Sequence, residues 1–98
     1  MFIRIVKLTF QPEKIEDFKA FFEEKKSFIR SFEGCEYLEL YQDKNNPQIF
    51  FTYSYWTEEA ALENYRNSDL FKGVWKITKS WFSNKAEAWS VDKLVSLA

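Results

Sequence analysis

The side chains of this sequence that could carry chemistry are phenols, guanidiniums and aromatic rings. Histidine is absent, which excludes His-based general catalysis, Ser-His and Cys-His nucleophile pairs, and imidazole ligation of zinc or haem iron. A phenol such as Tyr65 can hydrogen-bond a substrate oxygen, and a guanidinium such as Arg4 can stabilise an oxyanion. The single cysteine, Cys35, cannot form an internal disulfide or a multi-cysteine metal site, so we expect a buried free thiol.

Aromatic side chains are unusually abundant. Eleven Phe, five Tyr and four Trp occur among 98 residues. Each enclosed ring buries about 150–250 Å², whereas a domain of this size hides only about 60–70% of its chain surface on folding. Because large exposed apolar patches are uncommon on monomeric proteins, we expect the surplus rings to line a ligand cavity, an oligomer interface, or both.

Charge and length restrict the partners and the compartment. Fourteen basic and fifteen acidic residues leave a formal charge of −1, so no long-range field favours nucleic acid. The charged segment Met1–Lys7 is unlike the apolar region of a signal peptide, and no apolar run reaches membrane-spanning length. We therefore expect a cytoplasmic protein with no membrane partner, and one domain over residues 1–98.

Four segments have the composition of strands. The first is Phe2–Phe10, and Glu36–Asp43 and Gln48–Trp56 predict a hairpin because turn-forming residues lie between them. A closing strand is predicted over residues 86–91. On the first strand, the residues expected to face the helices are Phe2, Val6, Leu8 and Phe10, which leaves Ile3 and Ile5 on the opposite side.

Helix signals separate these strands. Pro12 begins a first helix that we expect Gly34 to end. Thr57 is the predicted N-cap of a short helix over Glu58–Arg66, and Ser68 that of a longer helix reaching about Phe82. The last helix has two neighbouring apolar stripes, so that one can pack on the sheet while the other needs a different occupant. Its Gly73 is expected to allow close approach of another group.

The element order predicts a ferredoxin-like α+β fold, βαββα(α)β, with a four-stranded antiparallel sheet and helices on one face. The other face of the sheet is left open. Covering it with the same face of a second copy is the economical solution, since two-fold pairs are the commonest closed assemblies. We therefore expect a homodimer through the open sheet face.

A ligand cavity is expected between the second stripe of the last helix, the first helix and the helix-facing side of the sheet. Tyr65 and Arg4 are the candidate catalytic residues, and Trp75, Phe71 and Trp56 the candidate substrate-binding residues. Trp75 with Phe71 could form a ring-stacking wall for a small aromatic or quinone-like ligand. The alternative for each ring is plain core packing, and for Arg4 a solvated or interface charge.

The segment Tyr55–Phe71 combines a strand-end tryptophan, an acidic helix start and a Ser-x-x-Phe signature at Ser68. In these features the chain resembles the antibiotic biosynthesis monooxygenase family, and the resemblance spans roughly residues 2–92. It implies a dimeric α/β barrel in which two sheets pack together. Members include quinol monooxygenases and oxygenases of polyketide aromatics, neither of which is expected to need flavin or metal, and haem-degrading enzymes.

The haem-degrading members can be compared residue by residue. They place a haem-ligating histidine where Trp75 stands, an asparagine where Val6 stands and a tryptophan where Tyr65 stands. We reject haem degradation for this reason and because histidine is absent. Other members of the family carry a histidine in the short helix before the Ser-x-x-Phe signature, and that residue is missing here as well.

The leading hypothesis is a cofactor-independent monooxygenase that oxidises an aromatic or quinol-like small molecule in an apolar cavity. An electron-rich substrate that loses a proton can donate electrons to O₂. The protein then needs only to enclose the substrate, orient it and stabilise its anion. One alternative is a non-catalytic binding protein for a small aromatic or lipid-like ligand. Another is an isomerase or dehydratase of the same architecture, since a fold does not determine a reaction.

Overall fold

A computed structural model describes all 98 residues. The secondary-structure elements are β1 (Phe2–Thr9), α1 (Ile15–Arg30), β2 (Cys35–Gln42), β3 (Ile49–Trp56), α2 (Glu59–Arg66), α3 (Asp69–Lys79) and β4 (Glu87–Val91), with a 3₁₀ turn at Pro12–Lys14 before α1. The strands pair antiparallel in the order β2-β3-β1-β4. The predicted ferredoxin-like α+β fold is therefore confirmed.

The alternation along β1 and β3 divides the sheet into two faces. Phe2 pairs with Trp56, and Leu8 pairs with Phe50. These four side chains are buried against residues of the helices, as the sequence predicts for β1. Since neighbouring residues of a strand point to opposite faces, the residues between them alternate in the same way.

The layer between sheet and helices contains two separate core clusters. One contains Phe2, Trp56 and Tyr65, together with Ile29, Cys35 and Ala61. The other contains Leu8, Phe10, Phe18 and Phe50. Rings of the second cluster pack closely, with 4.2 Å between the centroids of Phe10 and Phe18. The two clusters lie at opposite ends of β1 and β3, so the middle of these strands belongs to neither.

The other face of the sheet is rich in partly exposed rings. Tyr37 is 44% exposed, Tyr41 47% and Trp89 45%. Tyr37 lies 5.2 Å from Tyr55, and Tyr55 lies 5.6 Å from Tyr53, measured between ring centroids. Part of the aromatic surplus is thus found on a surface that no helix of this chain covers. None of the helices is both long and apolar enough to cross a membrane.

Several predicted boundaries are wrong in detail. Helix α1 ends at Arg30, and Gly34 instead has a φ of +91° in the turn that enters β2. The N-cap of α2 is Glu58 rather than Thr57, and no side chain caps it. Helix α3 ends at Lys79, because Phe82 forms a β-bridge with Phe10.

Two other local predictions can be judged directly. Ser68 does cap α3, since its hydroxyl oxygen accepts the backbone N–H of Phe71 at 3.1 Å. The close approach expected at Gly73 is wrong, because a Cβ there would meet no atom within 4 Å. A side chain at position 73 would therefore meet no steric obstacle.

The two glycines give a matched pair of substitutions. Gly34→Ala should lower the free energy of unfolding by about 2–4 kcal/mol, because its φ is positive and its Cβ would collide with that of Ala61. Gly73→Ala should raise it by about 0.5–1 kcal/mol, since the helix gains propensity and the site has room. Urea denaturation of both variants checks this, and similar effects at the two positions would contradict it.

Candidate functional site

A cavity of about 270 Å³ lies between the sheet and the helices, in the region that neither core cluster fills. This volume is slightly below the roughly 300–1,000 Å³ typical of small-molecule sites. Fourteen of its 19 lining residues are hydrophobic, so it suits a compact, mainly apolar ligand. Its lining residues are Arg4, Val6, Leu8, Phe18, Phe22, Ile29, Leu38, Thr52, Ser54, Trp56, Leu62, Tyr65, Arg66, Phe71, Val74, Trp75, Thr78, Ala86 and Ala88.

Tyr65 is positioned by rings on three sides. It lies near the end of α2, and its ring centroid is 5.1 Å from those of Trp56 and Phe71 and 5.3 Å from that of Phe32. Its side chain is buried, and burial raises the pKa of the Tyr65 phenol well above its ordinary value. The phenol therefore stays protonated at neutral pH and can donate a hydrogen bond to a ligand oxygen.

Arg4 lies on the helix-facing side of β1, in a polar row that crosses the sheet. Its register partners are Ser54 on β3 and Ser90 on β4. The Arg4 Nη1 donates to Ser90 Oγ at 3.0 Å. Burial, and then the nearby charge of Arg66, lower the pKa of Arg4, but a guanidinium remains protonated in proteins. The sheet thus places a fixed positive charge at the cavity.

Phe71 and Trp75 form a stacked aromatic wall on α3. They are one helical turn apart, and their rings are parallel to within 12° at a centroid distance of 5.7 Å. Phe82 packs edge-on against Trp75, with 5.5 Å between the ring centroids. A planar ligand can pack against this pair by extending the stack or by meeting the ring edges.

Trp56 lies at the boundary between cavity and core. It is only 1% exposed, and its indole Nε1 donates to Ser54 Oγ at 2.9 Å. This bond satisfies the buried N–H and fixes the ring at the end of β3. Trp56 lines the cavity, but most of its surface packs in the cluster with Phe2 and Tyr65.

The structure brings all five candidate residues together around this one cavity: Arg4, Trp56, Tyr65, Phe71 and Trp75. Their catalytic and binding roles stay predictions. Four further polar residues, Thr52, Ser54, Arg66 and Thr78, line the same space and were missed by the sequence prediction. Ser54 occupies a helix-facing position of β3, and Thr78 lies in the aromatic stripe of α3. A polar residue in an otherwise apolar pattern is the signal that could have identified both.

Thr78 differs from the other polar residues of the cavity. It is only 3% exposed, yet its Oγ1 has no hydrogen-bond partner. An unpaired buried hydroxyl is costly, and few occur in folded proteins. Its position in the cavity lining makes a ligand oxygen a suitable missing partner.

The cavity can bind and orient but contains few groups for proton transfer. None of its lining residues is Asp, Glu, His or Lys. No group of three or more potential metal-ligating residues of the types His, Cys, Asp and Glu converges anywhere in the chain. What the site offers is a neutral phenol, two guanidiniums, several hydroxyls and aromatic walls, which together suit an electron-rich ring carrying oxygen substituents.

A four-stranded antiparallel sheet, helices on one face and an aromatic cavity between the layers define a ferredoxin-like α+β protein with an internal cavity. The chain belongs to the antibiotic biosynthesis monooxygenase family, whose sequence profile it matches over residues 1–77. The resemblance carried by residues 55–71 is thereby confirmed. No curated protein matches the chain.

Solved structures agree with this fold. A conserved protein from Methanosarcina mazei Go1 is 26% identical, with a TM-score of 0.87 over 95% of this chain and 93% of that one. A structure described as an antibiotic biosynthesis monooxygenase is 19% identical, with a TM-score of 0.90 over 97% and 100% of the two chains. PA3566 from Pseudomonas aeruginosa is 21% identical, with a TM-score of 0.84 over 96% and 94%.

Two hydroxyl deletions test whether Thr78 is unpaired in the free protein. Thr78→Val should raise the free energy of unfolding by about 1 kcal/mol, because it removes a buried group without a partner. Ser54→Ala should lower it by about 1–3 kcal/mol, because it leaves the Trp56 N–H unpaired. Chemical denaturation measures both, and a loss of stability in Thr78→Val as large as that in Ser54→Ala would refute the assignment.

Proposed function

We propose that this protein is a monooxygenase that oxidises an aromatic or quinol-like small molecule inside the cavity, using no bound cofactor. The observation that carries the proposal is the cavity itself, where the Tyr65 phenol, the Arg4 guanidinium and the wall of Phe71 and Trp75 meet in an apolar space. Membership of the antibiotic biosynthesis monooxygenase family supports the reaction class.

The proposed chemistry follows from these groups. A hydroquinone and O₂ give a hydroxyquinone and water. One oxygen atom of O₂ is added to the ring, and the other is reduced to water by two electrons from the substrate. Arg4 stabilises the phenolate form of the substrate, and Tyr65 donates to a second oxygen. The apolar walls exclude water, which strengthens both interactions and protects reactive intermediates.

The second candidate is a non-catalytic binding protein for a small aromatic ligand. The observation that favours it is the absence of Asp, Glu, His and Lys from the cavity lining, since oxygenation would then rely on the substrate ionising without a protein base. An isomerase or dehydratase fits less well, because both reactions need a side chain that moves a proton.

Oxygen consumption separates the two candidates. Wild-type protein should consume one O₂ per product formed with a quinol or an anthrone-like substrate, and Tyr65→Phe should lower kcat/KM by about 10–100-fold through loss of one hydrogen bond in the transition state. An oxygen electrode with parallel product analysis by mass spectrometry measures this.

Tyr41→Phe is the matched control. It also removes one phenol oxygen, but on the opposite face of the sheet, where Tyr41 bonds Glu39, and its kcat/KM should equal that of the wild type. If no substrate in the panel is consumed while ligands still raise the melting temperature, the binding protein replaces the oxygenase.

We further propose that the open sheet face pairs with that of a second copy, giving a dimeric α/β barrel. The support is the row of exposed rings on this face, with Tyr37, Tyr41 and Trp89 each more than 40% exposed. Tyrosine and tryptophan are enriched in the buried centres of protein interfaces. Contiguous exposed aromatic patches are uncommon on monomers and mark interaction surfaces.

Charge substitution tests this face against the helical side. Trp89→Glu should convert a dimer of about twice 11.8 kDa into a monomer, because it buries an unpaired carboxylate at the interface. Ile77→Glu is the control, since Ile77 is 43% exposed on α3, and it should leave the mass unchanged. Light scattering after size exclusion measures both masses, and a monomeric wild type would rule the pairing out.

We also place the reaction in the cytoplasm. Cys35 is a free thiol buried in a core cluster. A reducing compartment preserves such a thiol, which supports this location.

A further inference from the structure

Two arginines reach the cavity from unconnected elements. Arg4 comes from β1 and Arg66 is the last residue of α2, and both line the same space. They are close enough for the charge of Arg66 to lower the pKa of Arg4. Two like charges beside one mainly apolar cavity attract a bound anion more strongly than either charge alone.

The protein itself does little to neutralise this pair. Arg4 donates to the neutral hydroxyl of Ser90. Arg66 has one acidic neighbour, Glu63, at 3.8 Å in an exposed pair within α2, and pairs of this kind contribute little. No acidic residue lines the cavity. Neither guanidinium is therefore neutralised by an acidic residue of the cavity lining, and both can pair with an anionic ligand.

We propose that the ligand of this cavity is an aromatic carboxylate, whose anionic group is bound by Arg4 and Arg66 while its ring lies against Phe71 and Trp75. This inference rests on the proposed function and names its substrate class. A guanidinium matches the planar carboxylate with two parallel hydrogen bonds. The Thr78 hydroxyl is then available to a ring oxygen substituent, which supplies its missing partner.

Binding of two probes in the absence of oxygen tests the anionic group without any turnover. The probes are 1-hydroxy-2-naphthoate and its carboxamide, which differ in charge but hardly in shape. Isothermal titration calorimetry at low salt should give at least about tenfold tighter binding of the carboxylate, the difference expected from a charge-assisted hydrogen bond. Equal affinities, including no measurable binding of either probe, would overturn the proposal.

Charge-removing variants identify the residues. Arg4→Gln and Arg66→Gln should each reduce the preference for the carboxylate severalfold, and the double variant should abolish it. Lys72→Gln, which removes one exposed positive charge on α3 outside the cavity, should keep it. A preference that survives the double variant would contradict the assignment.

A salt titration tests the same charge interaction on the wild-type protein, without any substitution. Raising the salt concentration from about 0.05 M to about 0.5 M should weaken binding of the carboxylate and leave binding of the carboxamide unchanged, since only the carboxylate is bound by charge.

Thr78→Val should weaken binding of the hydroxylated probe more than binding of 2-naphthoate, which lacks the ring hydroxyl. The same response of both naphthoates to Thr78→Val would remove Thr78 from the site.

The outcomes separate this inference from the oxygenase proposal. A carboxylate preference in the absence of oxygen consumption would retain the ligand class and reject the reaction. Oxygen consumption with quinols and no preference for the carboxylate would retain the reaction and reject the ligand class.

Discussion

Side-chain size along the strands determines where the cavity lies. On β3 the helix-facing residues are Phe50 and Trp56 at the ends, with Thr52 and Ser54 between them. The large residues belong to two core clusters that support the helices at a distance from the sheet, and the small ones cannot fill the space below. Protein interiors otherwise pack as densely as organic crystals. A cavity of about 270 Å³ therefore persists because rigid rings at both ends resist collapse.

The same alternation gives the opposite face a different character. Its rings are mainly tyrosines, and their hydroxyls find polar partners on the surface: Tyr37 donates to Glu39 at 2.8 Å, and Lys93 donates to Tyr55 at 2.7 Å. The hydrogen bond to Glu39 raises the pKa of Tyr41 to about 12, whereas the bond from Lys93 lowers the pKa of Tyr55. Paired hydroxyls let these rings remain in water while their apolar bodies stay available to a partner.

The fold could be predicted from the sequence because its signals are local. Alternation on β1 and β3 identified the two faces, and Ser68 identified the start of α3. The predicted element boundaries were wrong where tertiary contacts determine them. Gly34 lies in a turn that packs against Ala61, and Phe82 lies beyond the end of α3, where it pairs with Phe10. The cavity could be placed between the correct elements, but an unpaired hydroxyl or the approach of Arg66 to Arg4 depends on three-dimensional neighbours that no spacing reveals.

The groups around the cavity limit what chemistry it can perform. Tyr65 is held in its neutral form, and Arg4 and Arg66 cannot act as bases, so no side chain there removes a proton at neutral pH. Two positive charges instead lower the pKa of a bound acid, which shifts the ionisation from a protein base to the ligand itself. This arrangement is sufficient only for a ligand that is already acidic and whose anion is delocalised over a ring. The unpaired Thr78 hydroxyl reduces the stability of the free protein, as residues selected for binding rather than for folding commonly do.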